Sequence, residues 1–318
     1  MSLINPDTMS NSNEVSQEKW HQDEEKWWND HGDYMTFQWR LTPFMNRVVR
    51  KRMEDDRDRY LLKAGDKMID VGCGSGWLSH FYAKEGMEVL GVDVSQEQIN
   101  AANRMKEKGA AGRVSFVCSD LVSWDSAAYS GYFDCAFVNA FLHHLPEIEL
   151  KLTLDKIAGV LKPDGRAYFY EPLTSKQVDR NGFVRAVDYI CNGLIVVLLS
   201  IIPRKFGLFS DRHRAALACG YTMCSPHERP VEIEVLSKYA SEAFEMESVQ
   251  PWHLFSIGVS MQIMGLKTRF QSPWSLLAPF FYLVDCIVFR LQDWRNFSLS
   301  GRFILCSVKM CRKQNQLG

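Results

Sequence analysis

The stretch Met68-Ile-Asp-Val-Gly-Cys-Gly-Ser-Gly-Trp77 constrains this chain most. A short apolar run ends in an acid, three glycines alternate with small residues, and a helical pattern begins. That order predicts a buried strand, a tight turn and a helix N-terminus open to a ligand. Gly72, Gly74 and Gly76 let the backbone turn sharply and let a bulky group lie against it. The spacing is G-x-G-x-G, so the third glycine of a dinucleotide fingerprint would fall on position 77, which is Trp. No Lys-Ser/Thr pair follows, which excludes a phosphate-cradling P-loop. Alone, the motif suits an ordinary glycine-rich turn equally well. The flanking sequence decides.

At 318 residues the chain can bury a full core as one elaborated domain. Lys+Arg number 37 against Asp+Glu 38, a formal net charge of -1, which removes the electrostatic footprint of a nucleic-acid binder. The basic run at residues 47–52 is followed at once by Glu54, Asp55, Asp56 and Asp58, and reads as a mixed-charge helix face. The 9 cysteines stand singly, with no C-x-x-C pair. Free, buried thiols in a reducing compartment are expected, and no metal site. Residues 1–17 are polar and lack a charged-then-apolar leader, so a disordered tail and a cytoplasmic location are expected.

Residues 18–62 follow a helical pattern dense in aromatics (Trp20, Trp27, Trp28, Tyr34, Phe37, Trp39), with Pro43 opening a second helix. These helices either pack on the domain or form a lid over a pocket. From residue 63 strands and helices alternate. Strands are predicted at 67–71, 88–93, 114–118, 132–138 and 166–170. Ser95-x-x-Gln98 reads as a capping box for the helix after the second strand. Connections of this length imply right-handed crossovers and a parallel sheet, which binds ligands beyond the carboxyl ends of its strands. Asp93, Asp120, His143, His144 and Glu171 all fall in that row.

Asp70-Val-Gly-Cys-Gly-Ser-Gly76, Val92-Asp93, Ser119-Asp120-Leu121, Phe133-Asp-Cys-Ala-Phe-Val-Asn139 and Leu161-Lys-Pro-Asp-Gly165 come in the order of the motifs of class I S-adenosylmethionine-dependent methyltransferases, which this chain resembles over residues 63–172. The resemblance implies an α/β, Rossmann-like, seven-stranded sheet with helices on both faces, and S-adenosyl-L-methionine as cofactor. It places the methionine part on Gly72, Gly74 and Gly76, both ribose hydroxyls on Asp93, and the adenine on Asp120 and the Leu121 amide. Asn139 would pass beneath the sulfonium, and Asp70 would hold the loop or touch the cofactor. Trp27-Trp28 through Gly32, with Arg40-Leu-Thr-Pro43, is also similar to the N-terminal helix of ubiquinone-biosynthesis O-methyltransferases. The chain departs from them at Met45, where they carry an arginine, and at Phe141-Leu-His-His144, where they carry an acid-rich stretch.

Methyl transfer to a hydroxyl needs a proton removed, and histidine suits that task near neutrality. His143 or His144 is the expected general base, with Glu171 a further candidate for substrate contact or catalysis. The rest of the chain divides into an apolar insertion (173–230), a C-terminal part with the last two strands (231–318), and within it a second apolar insertion (254–300). The apolar runs 189–202 and 276–289 are too short for the ~20 residues that span a bilayer. They either cap the substrate pocket or form a surface touching a membrane. O-methylation of a small or lipid-like acceptor is expected. C-methylation of an activated ring and a catalytically silent cofactor-binding protein stay open.

Overall fold

The computed structural model describes residues 16–41, 43–106, 113–175, 201–211, 214, 225–253, 266–267, 269, 273, 276–291 and 304–313. Two helices lead, α1 (Gln17–Leu41) and α2 (Pro43–Tyr60). Then come β1 (Lys67–Val71), α3 (Trp77–Lys84), β2 (Glu88–Asp93), α4 (Gln96–Lys106), β3 (Val114–Cys118), β4 (Phe133–Asn139), α5 (Glu147–Val160) and β5 (Leu161–Thr174). The remaining strands are β6 (Val231–Glu232), β7 (Phe244–His253) and β8 (Ile304–Arg312), with helices Ile202–Lys205, Ile233–Ala240 and Ala278–Leu291. Residues 1–15 of the tail expected at 1–17, and most of the two insertions, lie outside the described residues, and Gln17 already belongs to α1.

The strands form one sheet in the order β3-β2-β1-β4-β5-β8-β7. β1 to β5 run parallel, and β8 lies antiparallel between β5 and β7. This is the expected seven-strand path, with one addition: the two-residue β6 pairs parallel with the end of β5 and was not among the expected strands. β5 itself is longer than predicted, because β8 pairs with it as far as Leu173.

Side chains of successive strand residues point to opposite faces, and two cores follow from that. Met68, Val89, Phe137 and Tyr168 pack with Met53 and Tyr60 of α2 and with Leu78 and Tyr82 of α3. Ile69, Leu90, Val138 and Phe169 pack with Leu150, Leu154 and Ile157 of α5 and with Leu236. A parallel sheet covered on both faces needs the near-continuous apolar strands seen here. The thiol expectation needs one correction: Cys73, Cys135 and Cys306 are buried, but Cys118 and Cys286 are exposed. Cys118 is the last residue of β3, where the alternation turns outward.

Asp70 ties β1 to α3. It is 1% exposed, and its Oδ2 accepts the Ser79 hydroxyl at 2.5 Å. Burial pushes its pKa up to about 7, opposed by the Ser79 bonds and assisted by the charge of Asp93. A folded pKa above the unfolded value means the native state keeps the proton longer. Stability from this site is therefore present at low pH and declines as pH rises toward 7. Asp70→Asn is expected to remove roughly 2 kcal/mol of the stability lost between pH 5 and 7.5. Denaturant unfolding at the two pH values measures it, and identical pH slopes for variant and wild type would refute it.

Candidate active site

The carboxyl ends of β1 and β2 meet at the glycine turn. Gly72 and Cys73 donate their amides to the Val92 carbonyl at 2.9 and 3.1 Å, which draws the turn against β2. Asp93, the last residue of β2, accepts the Gly74 amide on Oδ2 at 2.8 Å and the Ser95 amide on Oδ1 at 2.9 Å. Burial raises its pKa, with the Ser95 and Gly74 amides opposing. Each oxygen keeps a further lone pair, so the carboxylate is oriented but not saturated. The Ser119 amide donates to the Asp93 carbonyl at 2.9 Å and brings the next strand end alongside. There Asp120 is half-buried, its Oδ2 accepting the Ser123 amide at 3.0 Å, and Leu121 is buried.

Two of the glycines have different reasons. Gly72, at φ 66, has the Phe141 ring where a Cβ would stand, at 2.6 Å from its Cδ2. Gly74, at φ 50, has nothing nearer that position than Gln98 Oε1 at 3.6 Å. The first glycine serves packing. The second leaves room beside Asp93.

Beyond β4 the chain turns at Ala140, in the left-handed region at φ 52, with its amide held by the Tyr170 carbonyl at 2.8 Å. Asn139 stands half-buried just before it. The turn aims the amides of Phe141 and Leu142 at Glu171 Oε1, both at 2.9 Å. Glu171 Oε2 takes His143 Nδ1 at 2.8 Å, and the residue is fully buried. Glu171 is thus consumed in fixing the turn and one imidazole. Burial pulls the His143 pKa down, but Glu171, with Glu228 and Glu24, outweighs it, and the net shift is upward. Glu228 Oε1 faces its Nε2 at 3.7 Å.

His144 has other partners. Its Nδ1 stands 2.9 Å from Ser225 Oγ and 3.1 Å from Glu24 Oε2 on α1. Burial and the neighbouring His143 lower its pKa, with Glu24 opposing. The Trp20 indole donates to the His144 carbonyl at 2.6 Å, and Trp28 meets the ring edge-on at 5.4 Å. α1 also pairs His21 with Glu149 at 2.8 Å, while Asn29 accepts the Ser95 hydroxyl at 2.7 Å. This helix therefore bridges the Asp93 end and the histidine end of the cleft.

Glu24, Ser225 and Glu228 escaped the sequence reading. A signal existed for Glu24 alone, which shares the α1 face of Trp20, Trp27 and Trp28 at helical spacing. A carboxylate inside an apolar stripe is a buried one in need of a partner. A groove of about 430 Å³ between α5 and the 122–130 segment shares none of the residues of this cluster.

Residues 68–165 match a family model described as a methyltransferase domain. A ubiquinone biosynthesis O-methyltransferase from Pectobacterium atrosepticum is 28% identical over 144 residues, 45% of this chain and 55% of the relative. The chain thus spans about half the length of the curated relatives it matches. Among solved structures, the 1,6-didemethyltoxoflavin-N1-methyltransferase of Burkholderia thailandensis superposes with a TM-score of 0.54 at 13% identity, covering 96% of this chain and 93% of that one. A geranyl diphosphate C-methyltransferase from Streptomyces coelicolor A3(2) gives 0.52 at 13% identity, covering 92% and 98%. At such identities the structures speak for the fold. The family match over the glycine turn and the strands around it makes residues 68–165 a methyltransferase domain, and the sheet that carries it has the fold of these methyltransferase structures.

Proposed function

We propose that the protein transfers a methyl group from S-adenosyl-L-methionine to a hydroxyl of a small, lipophilic acceptor. The observation that carries this reading is the pairing of Asp93 with Gly74: a carboxylate held by two amides, beside the one glycine of the two that faces room. That arrangement fits a ribose diol on the carboxylate and a chain lying on the backbone. Gly72, Gly74 and Gly76 would form the turn beneath the methionine part. Asp93 would take the ribose, Asp120 and the Leu121 amide the adenine, and Asn139 the floor of the transfer site. Asp70 acts one layer below, by holding α3. When bound, the cofactor supplies a methyl group on a positively charged sulfur.

The chain's own task is alignment and proton removal. His143 and His144 stand on the turn that follows Asn139, one strand from the glycine turn. Either imidazole could take the acceptor proton, and Glu171 holds the turn on which both stand. The O-methyltransferase relative supports oxygen as the acceptor atom.

A lipophilic acceptor is supported by exposed apolar side chains on the later segments: Ile201, Phe206, Leu276, Phe280, Leu283 and Ile287. Among the described residues no helix is long and apolar enough to cross a membrane. We read these side chains as a surface that meets lipid or a lipid-like acceptor at its edge.

Calorimetry with S-adenosyl-L-methionine and its demethylated product tests the cofactor site. Asp93→Ala is expected to weaken binding at least ~100-fold, through loss of hydrogen bonds to a charged group worth roughly 1.5–3 kcal/mol each. Gly74→Ala is expected to weaken binding while costing about 1 kcal/mol of stability. Absence of binding to the wild type sinks the reading. Labelled cofactor incubated with lipid, quinone and polar-metabolite fractions tests the acceptor. Label should enter the apolar fractions as an O-methyl group. Label confined to polar metabolites, or found on carbon, rejects the acceptor class proposed here.

A further inference from the structure

The helix that lies over the cleft brings a carboxylate to one of the two histidines, and that contact separates their roles. We infer that Glu24 is a positioning residue for His144, and that His144 is the proton acceptor of the reaction, with Nδ1–H on Ser225 Oγ beside the Glu24 carboxylate and Nε2 free to take the acceptor proton. This deepens the methyltransferase reading above and rests on it.

Three observations support the assignment. His143 has both nitrogens facing carboxylates, Nδ1 on Glu171 at 2.8 Å and Nε2 toward Glu228 at 3.7 Å. A ring between two carboxylates is favoured in its charged form and has no lone pair to offer. His144 has Nδ1 alone engaged, hydrogen-bonded to Ser225 Oγ at 2.9 Å with the Glu24 carboxylate as counter-charge at 3.1 Å, and no hydrogen bond is formed by its Nε2 among the described residues. A neutral imidazole that donates from Nδ1 is a base at Nε2, and the group on Nδ1 selects that tautomer. Finally, Glu24 is 7% exposed and is itself held, with Oε1 accepting the His227 amide at 3.1 Å. Ser225 is buried too, and its amide donates to Glu228 at 3.2 Å.

The groups around His144 come from four elements. Glu24 belongs to α1, and His143 to its own turn. Glu228 comes from the 225–229 segment, and Glu171 reaches the turn from β5. Burial, with His143 adding to it and Glu24 and Glu228 opposing, leaves His144 below the ordinary histidine pKa, whereas at His143 the carboxylates, Glu171 foremost, outweigh burial and leave it above. At neutral pH His144 is the ring with a free lone pair. In the transfer, the acceptor O–H bond breaks and its proton goes to His144 Nε2. The oxygen electron pair forms the new bond to the methyl carbon as the carbon–sulfur bond breaks, its electrons staying on sulfur. The imidazolium then returns its proton to water.

The partnership also explains what the N-terminal helix contributes. Its polar residues Asn29, Glu24 and His21 touch the loop after β2, the turn after β4 and the first turn of α5. The base is thereby oriented only when α1 is seated.

Histidine ¹⁵N NMR on the full chain reads the tautomer and pKa of His144 without any acceptor. The wild type should show Nδ1–H with a bare Nε2. Glu24→Ala should mix the tautomers and lower the His144 pKa, since the carboxylate that favours its protonated form is gone. Methyl transfer from labelled cofactor into a total lipid extract should fall about 100-fold in Glu24→Ala and in Ser225→Ala by a smaller factor. Cofactor binding measured by calorimetry should be unchanged, and Glu24→Asp should recover part of the rate. The double variant Glu24→Ala/His144→Ala should be no slower than His144→Ala alone. A wild-type rate or an unshifted His144 titration in Glu24→Ala overturns the proposal. So does loss of cofactor binding together with activity in both Glu24→Ala and Ser225→Ala, which would mark a purely structural role. A wild type that neither binds the cofactor nor transfers label rejects the broader reading instead.

Discussion

A parallel sheet leaves the amides of its carboxyl-edge loops without strand partners, and buried amides must be satisfied. In this protein carboxylates at the strand ends do it. Asp93 takes two amides after β1 and β2, Glu171 takes two after β4, and Asp120 takes one after β3. Burial costs the carboxylates solvation, which raises the pKa of Asp93 although its two amides oppose the shift, and the bonds fix the loops. On the function proposed above, the acids along the edge are structural and functional at once. The loops a cofactor would touch are the loops they hold.

The division of labour along the edge follows from saturation. Glu171 accepts three hydrogen bonds and is fully buried, so its contribution is the shape of the turn and the orientation of His143. Asp93 accepts two and stays half-buried, which leaves it able to take a ligand. The Phe141 ring on Gly72 couples the two ends: the β4 turn packs on the glycine turn, so neither can shift alone.

How much of this was legible in the sequence depends on the distance over which partners lie. The glycine turn and the acids at strand ends arise from local patterns, and Asp70, Asp93 and Asp120 could be placed from them; the seven-stranded sheet was implied by the family resemblance. The neighbours of the histidines could not. Ser225 lies 81 positions from His144, and Glu24 meets residues 203 positions away through the His227 amide. Segment 225–229 carries no periodic pattern to announce its burial. β6 was missed for a similar reason: two residues pair with β5 only because the chain happens to return there.

α1 shows why local pattern and role part company. Its sequence mixes Glu18, Asp23, Glu24 and Glu25 with tryptophans, and composition alone makes every acid a solvated one. Folding sorts them. Glu25 is exposed and Asp23 meets the His227 ring at 3.2 Å, while Glu24 is buried against His144. The helix covers the edge partly through ring contacts, Trp20 on His227 and Trp28 on His144, which tolerate small shifts, but the polar pairs do not. A 1 Å slide of α1 would leave Glu24 a buried carboxylate without its imidazole, an unfavourable state by several kcal/mol. The cover is therefore discriminating: it seats in one register, and that register is the one in which His144 has its partner.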